Sequence, residues 1–157
     1  MSSKQQRKRL NLNSTSRKLI VKRLNNLCKY LNREFSINYG GCCYVAYVIA
    51  KLLESDGIDF KLIVYDEYTI REKSLREFSE NHYHYSISIE GRFDINDDGC
   101  KRDNSLIRNE FKASSKEMLK HYKRYEWNSC YRTRQNSFIF KILKMSYDNI
   151  TKDLRKE

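Results

Sequence analysis

A cysteine that follows two glycines is the feature of this sequence best suited to do chemistry. The stretch Gly40-Gly41-Cys42-Cys43 leads into an apolar helical stripe that is predicted to be buried. N–H groups at a helix N-terminus stabilise a thiolate and can bind a developing oxyanion. Cys42 is therefore a candidate nucleophile, and the backbone of Cys42 and Cys43 is a candidate oxyanion site. The structural alternative is that two cysteines simply begin a core helix.

A histidine suited to general-base chemistry comes from a predicted β-hairpin. Residues 82–89 alternate in polarity, and Glu90-Gly91-Arg92 separates them from the short run 93–96. A three-residue loop would place Ile87, Ile89, Phe93 and Ile95 on one face of the hairpin. The other face then carries the polar side chains, namely His82, His84, Ser86, Ser88, Asp94 and Asn96.

The register of this hairpin selects a partner for the histidine. Asn96 is predicted to lie opposite Ser86 and diagonal to His84, within reach of a side-chain hydrogen bond, whereas Asp94 is one step further away. In such a site the histidine accepts the thiol proton and later returns it, while the third residue fixes the tautomer of the histidine. The sequence therefore predicts a Cys–His–Asn/Asp site of Cys42, His84 and either Asn96 or Asp94.

These residues resemble the papain-like and transglutaminase-like cysteine enzyme superfamily, whose active-site helix often has the pattern Gly-x-Cys-x-x-x-Ala. The matching stretch is Gly40-Gly41-Cys42-Cys43-Tyr44-Val45-Ala46, and the resemblance covers about residues 38–99. It implies Cys42 as nucleophile, His84 as base and Asn96 or Asp94 as the orienting residue. A papain-type pattern, Gly-x-Cys-aromatic, would favour Cys43 instead.

The resemblance also implies a fold and a reaction class. The fold is α+β, with the active-site helix packed on a small antiparallel sheet and flanked by further helices. The reaction is hydrolysis or acyl transfer at an amide bond of a protein or peptide substrate, as in a peptidase, a deamidase or a transglutaminase-like enzyme. All three form a thioester, and the second nucleophile decides between hydrolysis and cross-linking. No cofactor is expected.

A zinc site is the competing chemistry for the same residues. His82 and His84 project from one strand face, near the predicted positions of Cys42 and Cys43. Adjacent cysteines rarely coordinate one ion together, and the usual Cys-x-x-Cys spacing is missing. No metal is therefore predicted. A further alternative is that both histidines are surface residues on a half-exposed strand.

The net charge of +11 is distributed unevenly along the chain. Residues 1–33 hold ten Lys or Arg and no acid, residues 34–100 hold six against thirteen acids, and residues 101–157 hold fifteen against seven. Basic ends thus flank an acidic centre. The alternative function is a non-enzymatic nucleic-acid- or protein-binding protein on the same fold, with candidate phosphate contacts at Lys4, Arg7, Lys8 and Arg9.

The length of 157 residues suits one domain over 14–157, preceded by a basic flexible arm over 1–13. Helical periodicity predicts an amphipathic helix over 14–34 with a basic outer face, and further helices over 112–126 and 138–150. A buried strand is predicted over 60–65.

Cysteine usage and hydropathy bear on the compartment. The five cysteines are odd in number and two are adjacent, which does not fit a secreted disulfide framework. No apolar run has the length of a membrane span, and the N-terminus lacks the apolar segment of a secretory signal. We expect a cytoplasmic protein with no membrane partner. The Lys-, Asn-, Ile- and Tyr-rich composition is compatible with a phage or bacterial mobile element, in which case the compartment is the host cytoplasm.

Overall fold

The computed structural model describes residues 14–37, 41–77, 84–89, 93–96, 104–125 and 133–152. The predicted arm over 1–13, with Lys4, Arg7, Lys8 and Arg9, lies outside the described residues. The elements in chain order are α1 (Ser14–Phe35), α2 (Cys42–Asp56), β1 (Phe60–Asp66), a 3-10 turn (Leu75–Glu77), β2 (His84–Ile89), β3 (Phe93–Ile95), β4 (Ile107–Phe111), α3 (Ser115–Tyr125) and α4 (Thr133–Lys152). The predicted α+β class is confirmed at this level.

The four strands form one antiparallel sheet in the order β3-β2-β1-β4. Ile87 pairs with Ile95 and Ile89 pairs with Phe93, so residues 90–92 connect the two strands. This pairing confirms the register that the alternation of the hairpin predicts. Strand β4 was not predicted, and it occupies the edge next to β1.

The register gives the sheet two distinct faces. The apolar face packs in one hydrophobic cluster with α2, and its members are Leu62, Val64, Tyr85, Ile87, Ile89, Ile95 and Phe111. The polar face carries the alternate residues, among them Lys61, Ile63, Tyr65, His84, Ser86, Ser88, Asp94, Arg108 and Glu110. Both faces are largely buried, since Ser86, Ser88 and Asp94 are each less than 3% exposed. The strand is therefore not half-exposed, contrary to the simplest interpretation of its alternation.

Helix α2 is the central element because its apolar residues cover most of its circumference. Ten of its residues are buried, including Val45, Ile49 and Leu53. The helix ends at Gly57, whose backbone has a φ of 67° in the left-handed region that favours glycine. There the N–H of Gly57 donates to the carbonyl of Glu54, and the N–H of Ile58 donates to the carbonyl of Leu53. The chain then continues into β1.

Helices α3 and α4 are joined to α2 by side-chain hydrogen bonds. The hydroxyl of Tyr147 in α4 donates to the buried carboxylate of Asp56 at 2.5 Å. The carboxylate of Glu54 accepts from the backbone N–H of Ser115 at 2.7 Å and from its hydroxyl at 2.5 Å. Glu54 thus provides hydrogen-bond acceptors at the start of α3 from the end of α2.

None of the helices in the part of the chain that the structure describes is long and apolar enough to cross a membrane.

Candidate functional site

Cys42 is the first residue of α2, as the glycine-rich stretch predicts. The preceding Gly41 is buried and acts as the N-cap without any side-chain cap hydrogen bond. A Cβ at this position would lie 2.2 Å from the carbonyl oxygen of Ile37, so no side chain fits there. The glycine is therefore required by close packing against the end of the preceding segment. Gly40 lies outside the described residues.

The backbone around Cys42 has the geometry of a helix start. The N–H of Val45 donates to the carbonyl of Gly41 at 3.0 Å, which begins the helical ladder. The backbone N–H groups in the first turn of a helix point along the helix axis, away from the helix and beyond its N-terminus. The oxyanion site predicted at the backbone of Cys42 and Cys43 lies at this helix start and stays a prediction.

Burial separates the three cysteines that lie in the described part of the chain. Cys28 and Cys43 are buried at 2% and 1% exposure, whereas the side chain of Cys42 is partly exposed. None of these three described cysteines forms a disulfide. A nucleophile must meet its substrate, so accessibility favours Cys42 over Cys43. Cys100 and Cys130 lie outside the described residues.

His84 is the first residue of β2 and is partly exposed. It pairs with Tyr65 across the strands, and the two ring centroids lie 6.4 Å apart. By register the side chain of His84 belongs to the polar face, while α2 packs on the apolar face. The strand alternation therefore does not direct His84 towards α2, and its pairing with Cys42 stays a prediction. His82 lies outside the described residues.

Asp94 is the centre of a buried ionic cluster on the polar face. Its Oδ2 accepts from the hydroxyl of Tyr65 at 2.6 Å and from Nε of Arg108 at 2.8 Å. Its Oδ1 accepts from Nη2 of Arg108 at 2.9 Å. Arg108 also binds Glu110, which accepts from Lys61 at 2.8 Å. The cluster extends from a fully buried carboxylate to an exposed ammonium group.

The electrostatics of this cluster favour an ionised Asp94. Burial by itself would raise the pKa of Asp94, but the hydrogen bonds from Arg108 and Tyr65 outweigh it and hold the pKa below its usual value. Burial, reinforced by the hydrogen bond to Asp94, raises the pKa of Tyr65 to about 12. Asp94 is thus a fixed anion whose two oxygens are both engaged by Arg108, and this makes it a poor candidate for orienting His84.

Asn96, the preferred third residue, is buried next to the end of β3. Continuing the pairing of Ser88 with Asp94 along both strands places Asn96 opposite Ser86, as the sequence predicts. The backbone carbonyl of Asn96 accepts a hydrogen bond from the Cys28 thiol at 3.3 Å. Cys28 therefore connects α1 to this strand end, which suits a structural thiol.

Sequence reasoning missed two groups of polar residues that the fold assembles. One is the pair of Tyr65 and Arg108, which come from β1 and from the unpredicted β4. The other is on the α2 side of the sheet, where Nε2 of His121 lies 3.3 Å from the hydroxyl of Tyr85. The two-residue spacing of Tyr85, Ile87 and Ile89 identifies the sheet face of Tyr85. No local signal links Tyr85 to His121, which lies 36 positions later.

Within the described residues, no group of three or more His, Cys, Asp or Glu side chains is arranged to hold a metal ion. At the start of α2, the structure places a thiol next to helix-terminal amides. Such a thiol can attack a carbonyl carbon, and the amides can stabilise the resulting oxyanion.

Comparisons of the chain with protein-family models, with curated proteins and with solved structures returned no match.

Proposed function

We propose that this chain is a small cysteine hydrolase or acyltransferase of the papain-like and transglutaminase-like type, acting on amide bonds of a protein or peptide in the cytoplasm. The observation that carries the proposal is the position of Cys42, a partly exposed thiol on the first residue of a buried helix. Directly before this thiol, Gly41 packs so closely against Ile37 that no side chain fits at position 41.

The proposed reaction begins with the Cys42 thiolate attacking the amide carbonyl carbon. The carbonyl oxygen becomes an oxyanion that the amides at the start of α2 stabilise. Collapse of this intermediate breaks the C–N bond and leaves a thioester, while the departing amine takes the proton held by the base. Water or a second amine then releases the acyl group.

His84 is the base that the sequence nominates, and Asn96 is preferred over Asp94 as its orienting residue. Asp94 is less suitable because both of its oxygens are bound by Arg108. His84 is the first residue of β2, on the face away from α2, so this role requires its ring to approach Cys42 around the end of the strand. Replacing His84 by Ala is therefore the decisive test of the base.

The experiment is alkylation by iodoacetamide near neutral pH, followed by mass-spectrometric mapping of each cysteine. We expect Cys42 to react roughly tenfold or more faster than Cys43, because a helix start lowers thiol pKa and Cys43 is buried. His84→Ala should slow the Cys42 reaction, and Cys43→Ala should leave it unchanged. Equal, slow labelling of Cys42 and Cys43 would refute an activated thiol. An unchanged alkylation rate of Cys42 in His84→Ala would exclude His84 as the base, but it would not refute the activated thiol.

Binding to a polyanion is the second candidate function, and the surface of α1 favours it. Lys18, Lys22, Lys29 and Arg33 are all exposed on this helix, whose sole acid is Glu34. Together with the basic segment 1–12, they would neutralise nucleic-acid phosphates. Deleting residues 1–12 should weaken binding to DNA or RNA and flatten its salt dependence without changing Cys42 labelling. An identical salt slope would exclude a role for the arm.

A further inference from the structure

A cleft of about 630 Å³ lies between the 3-10 turn and α3, and no residue of the proposed cysteine site lines it. Its walls include Leu75 from the turn and Lys116, Glu117, Lys120, His121 and Arg124 from α3. Small-molecule sites commonly have volumes of about 300–1,000 Å³. The cleft is therefore large enough for a metabolite-sized ligand.

The charge of this cleft is concentrated on one stripe of α3. Lys116, Lys120 and Arg124 are spaced four residues apart, so their side chains lie along the same side of the helix. All three residues are exposed at the cleft. Like charges at this spacing repel one another, and a bound anion would relieve the repulsion.

The cleft also contains an acidic side chain. The carboxylate of Glu117 accepts from the backbone N–H of Ser114 at 2.9 Å and from its hydroxyl at 3.1 Å. This carboxylate is thus engaged at the N-terminus of α3. Among the described residues that line the cleft, three are basic and one is acidic.

His121 gives the cleft a fixed, buried polar group. The residue is only 4% exposed, yet it contributes to the lining. Its Nε2 lies 3.3 Å from the hydroxyl of Tyr85, and its ring packs against Tyr122 with centroids 6.0 Å apart. Contacts with β2 and with its own helix therefore hold the imidazole in place beneath the exposed cations.

We propose that this cleft binds a small phosphate-bearing molecule, such as a phosphomonoester or a pyrophosphate. A phosphate group carries about two negative charges and several strong acceptor oxygens, which match a guanidinium and two ammonium groups along one side of one helix. The buried side chain of Leu75 supplies an apolar wall for the organic part of the ligand. This site is independent of the chemistry proposed for Cys42.

The test is titration of the intact protein with inorganic pyrophosphate, followed by calorimetry and by chemical shifts of the α3 amides. Lys120→Ala should weaken binding roughly five- to tenfold, as expected for loss of one charge-assisted contact. Lys123→Ala is the matched control, because Lys123 is exposed on the same helix but does not line the cleft. It should change the dissociation constant less than about twofold. Both side chains are exposed, so neither variant should alter the far-UV circular dichroism.

Four results would overturn the proposal. Absence of pyrophosphate binding would do so directly. An equal loss of affinity in Lys120→Ala and Lys123→Ala would indicate a diffuse attraction to the whole helix. Succinate binding as tightly as pyrophosphate would indicate a general anion site, and a single-stranded oligonucleotide that binds more tightly and requires Lys123 would indicate a nucleic-acid surface.

Discussion

The two faces of the sheet are both buried, but different forces hold them. The apolar face is covered by α2 and contains side chains such as Ile87 and Leu62. The polar face contains Asp94, bound by Arg108 and Tyr65, with the charges continuing towards Glu110 at the surface. Hydrophobic contact depends on the area removed from water and has little directionality, whereas a buried ion pair depends on the geometry of its hydrogen bonds.

This difference implies that the faces contribute differently to the structure. The apolar face provides cohesion that tolerates changes of shape, provided that volume is kept. The polar face provides little net stability but penalises any arrangement that leaves Asp94 or Arg108 without its counter-charge. We therefore expect the polar face to fix the pairing of β3 and β4 with the two central strands.

Removing the buried charge should have the largest effect. Asp94→Asn keeps the size of the side chain but leaves Arg108 without its buried partner, and we expect it to reduce the free energy of unfolding by about 3–5 kcal/mol at neutral pH. Urea denaturation followed by circular dichroism measures this loss. A change below about 1 kcal/mol would show that the cluster behaves like a surface ion pair.

Ile87→Ala is the matched substitution on the apolar face. Ile87 is fully buried in the central strand β2, and truncating it should cost about 3 kcal/mol through lost burial and an internal cavity. The same urea experiment gives the value. A negligible cost would mean that α2 and the sheet repack around the missing atoms.

The pH dependence of these two losses should separate the faces. Because the folded-state pKa of Asp94 is lowered, its ionised form contributes stability that is complete above the unfolded pKa of about 3.9 and is lost as pH falls through the folded value. The difference between wild type and Asp94→Asn should therefore shrink below about pH 4. The difference between wild type and Ile87→Ala should stay constant. Parallel pH profiles for the two variants would contradict the assignment of Asp94 as an ionised group.

The smallest effect should come from the exposed end of the polar cluster. Glu110 is partly exposed and bridges Arg108 and Lys61, whose side chain is 55% exposed. Glu110→Gln should change the free energy of unfolding by no more than about 0.5 kcal/mol, with the difference vanishing at high salt. A loss comparable to that of Asp94→Asn would mean that the cluster acts as one cooperative unit.

The hairpin could be predicted from the sequence because its signal is local. The alternation over 84–89 and the glycine of the 90–92 connection define both register and face membership, and the observed pairing of Ile89 with Phe93 agrees. The burial of the polar face could not be predicted. Serines that alternate with isoleucines are typical of a solvated strand face, and Arg108, which neutralises Asp94, lies 14 residues later.

Strand β4 escaped prediction for a related reason. Its sequence, Ile107-Arg108-Asn109-Glu110-Phe111, has three polar residues and little apolar alternation. Asn109 can be buried because its side-chain amide is satisfied by groups that are distant in sequence. The amide oxygen accepts from the N–H of Ile70, and the amide nitrogen donates to the carbonyls of Val64 and Tyr68. Such compensation by tertiary partners overrides local β-propensity.

The candidate site also has one part that could be predicted from local sequence and one part that could not. The helix start at Cys42 follows from Gly41 and the apolar stripe of α2, which are local features. The relation of His84 to that helix start depends on which sheet face α2 covers, and this is a property of packing between elements. Alternation defines the two faces but does not say which one meets the helix.

The hydrogen bonds that Ser115 donates to Glu54 couple the start of α3 to the end of α2. The helix start of α3 takes its acceptors from a side chain 61 residues earlier, at the far end of α2. A segment of 11 residues is too short for a stable helix in isolation, so α3 depends on this distant anchor. The stability of α3, and of the cationic cleft that it lines, is therefore coupled through Glu54 to the end of α2.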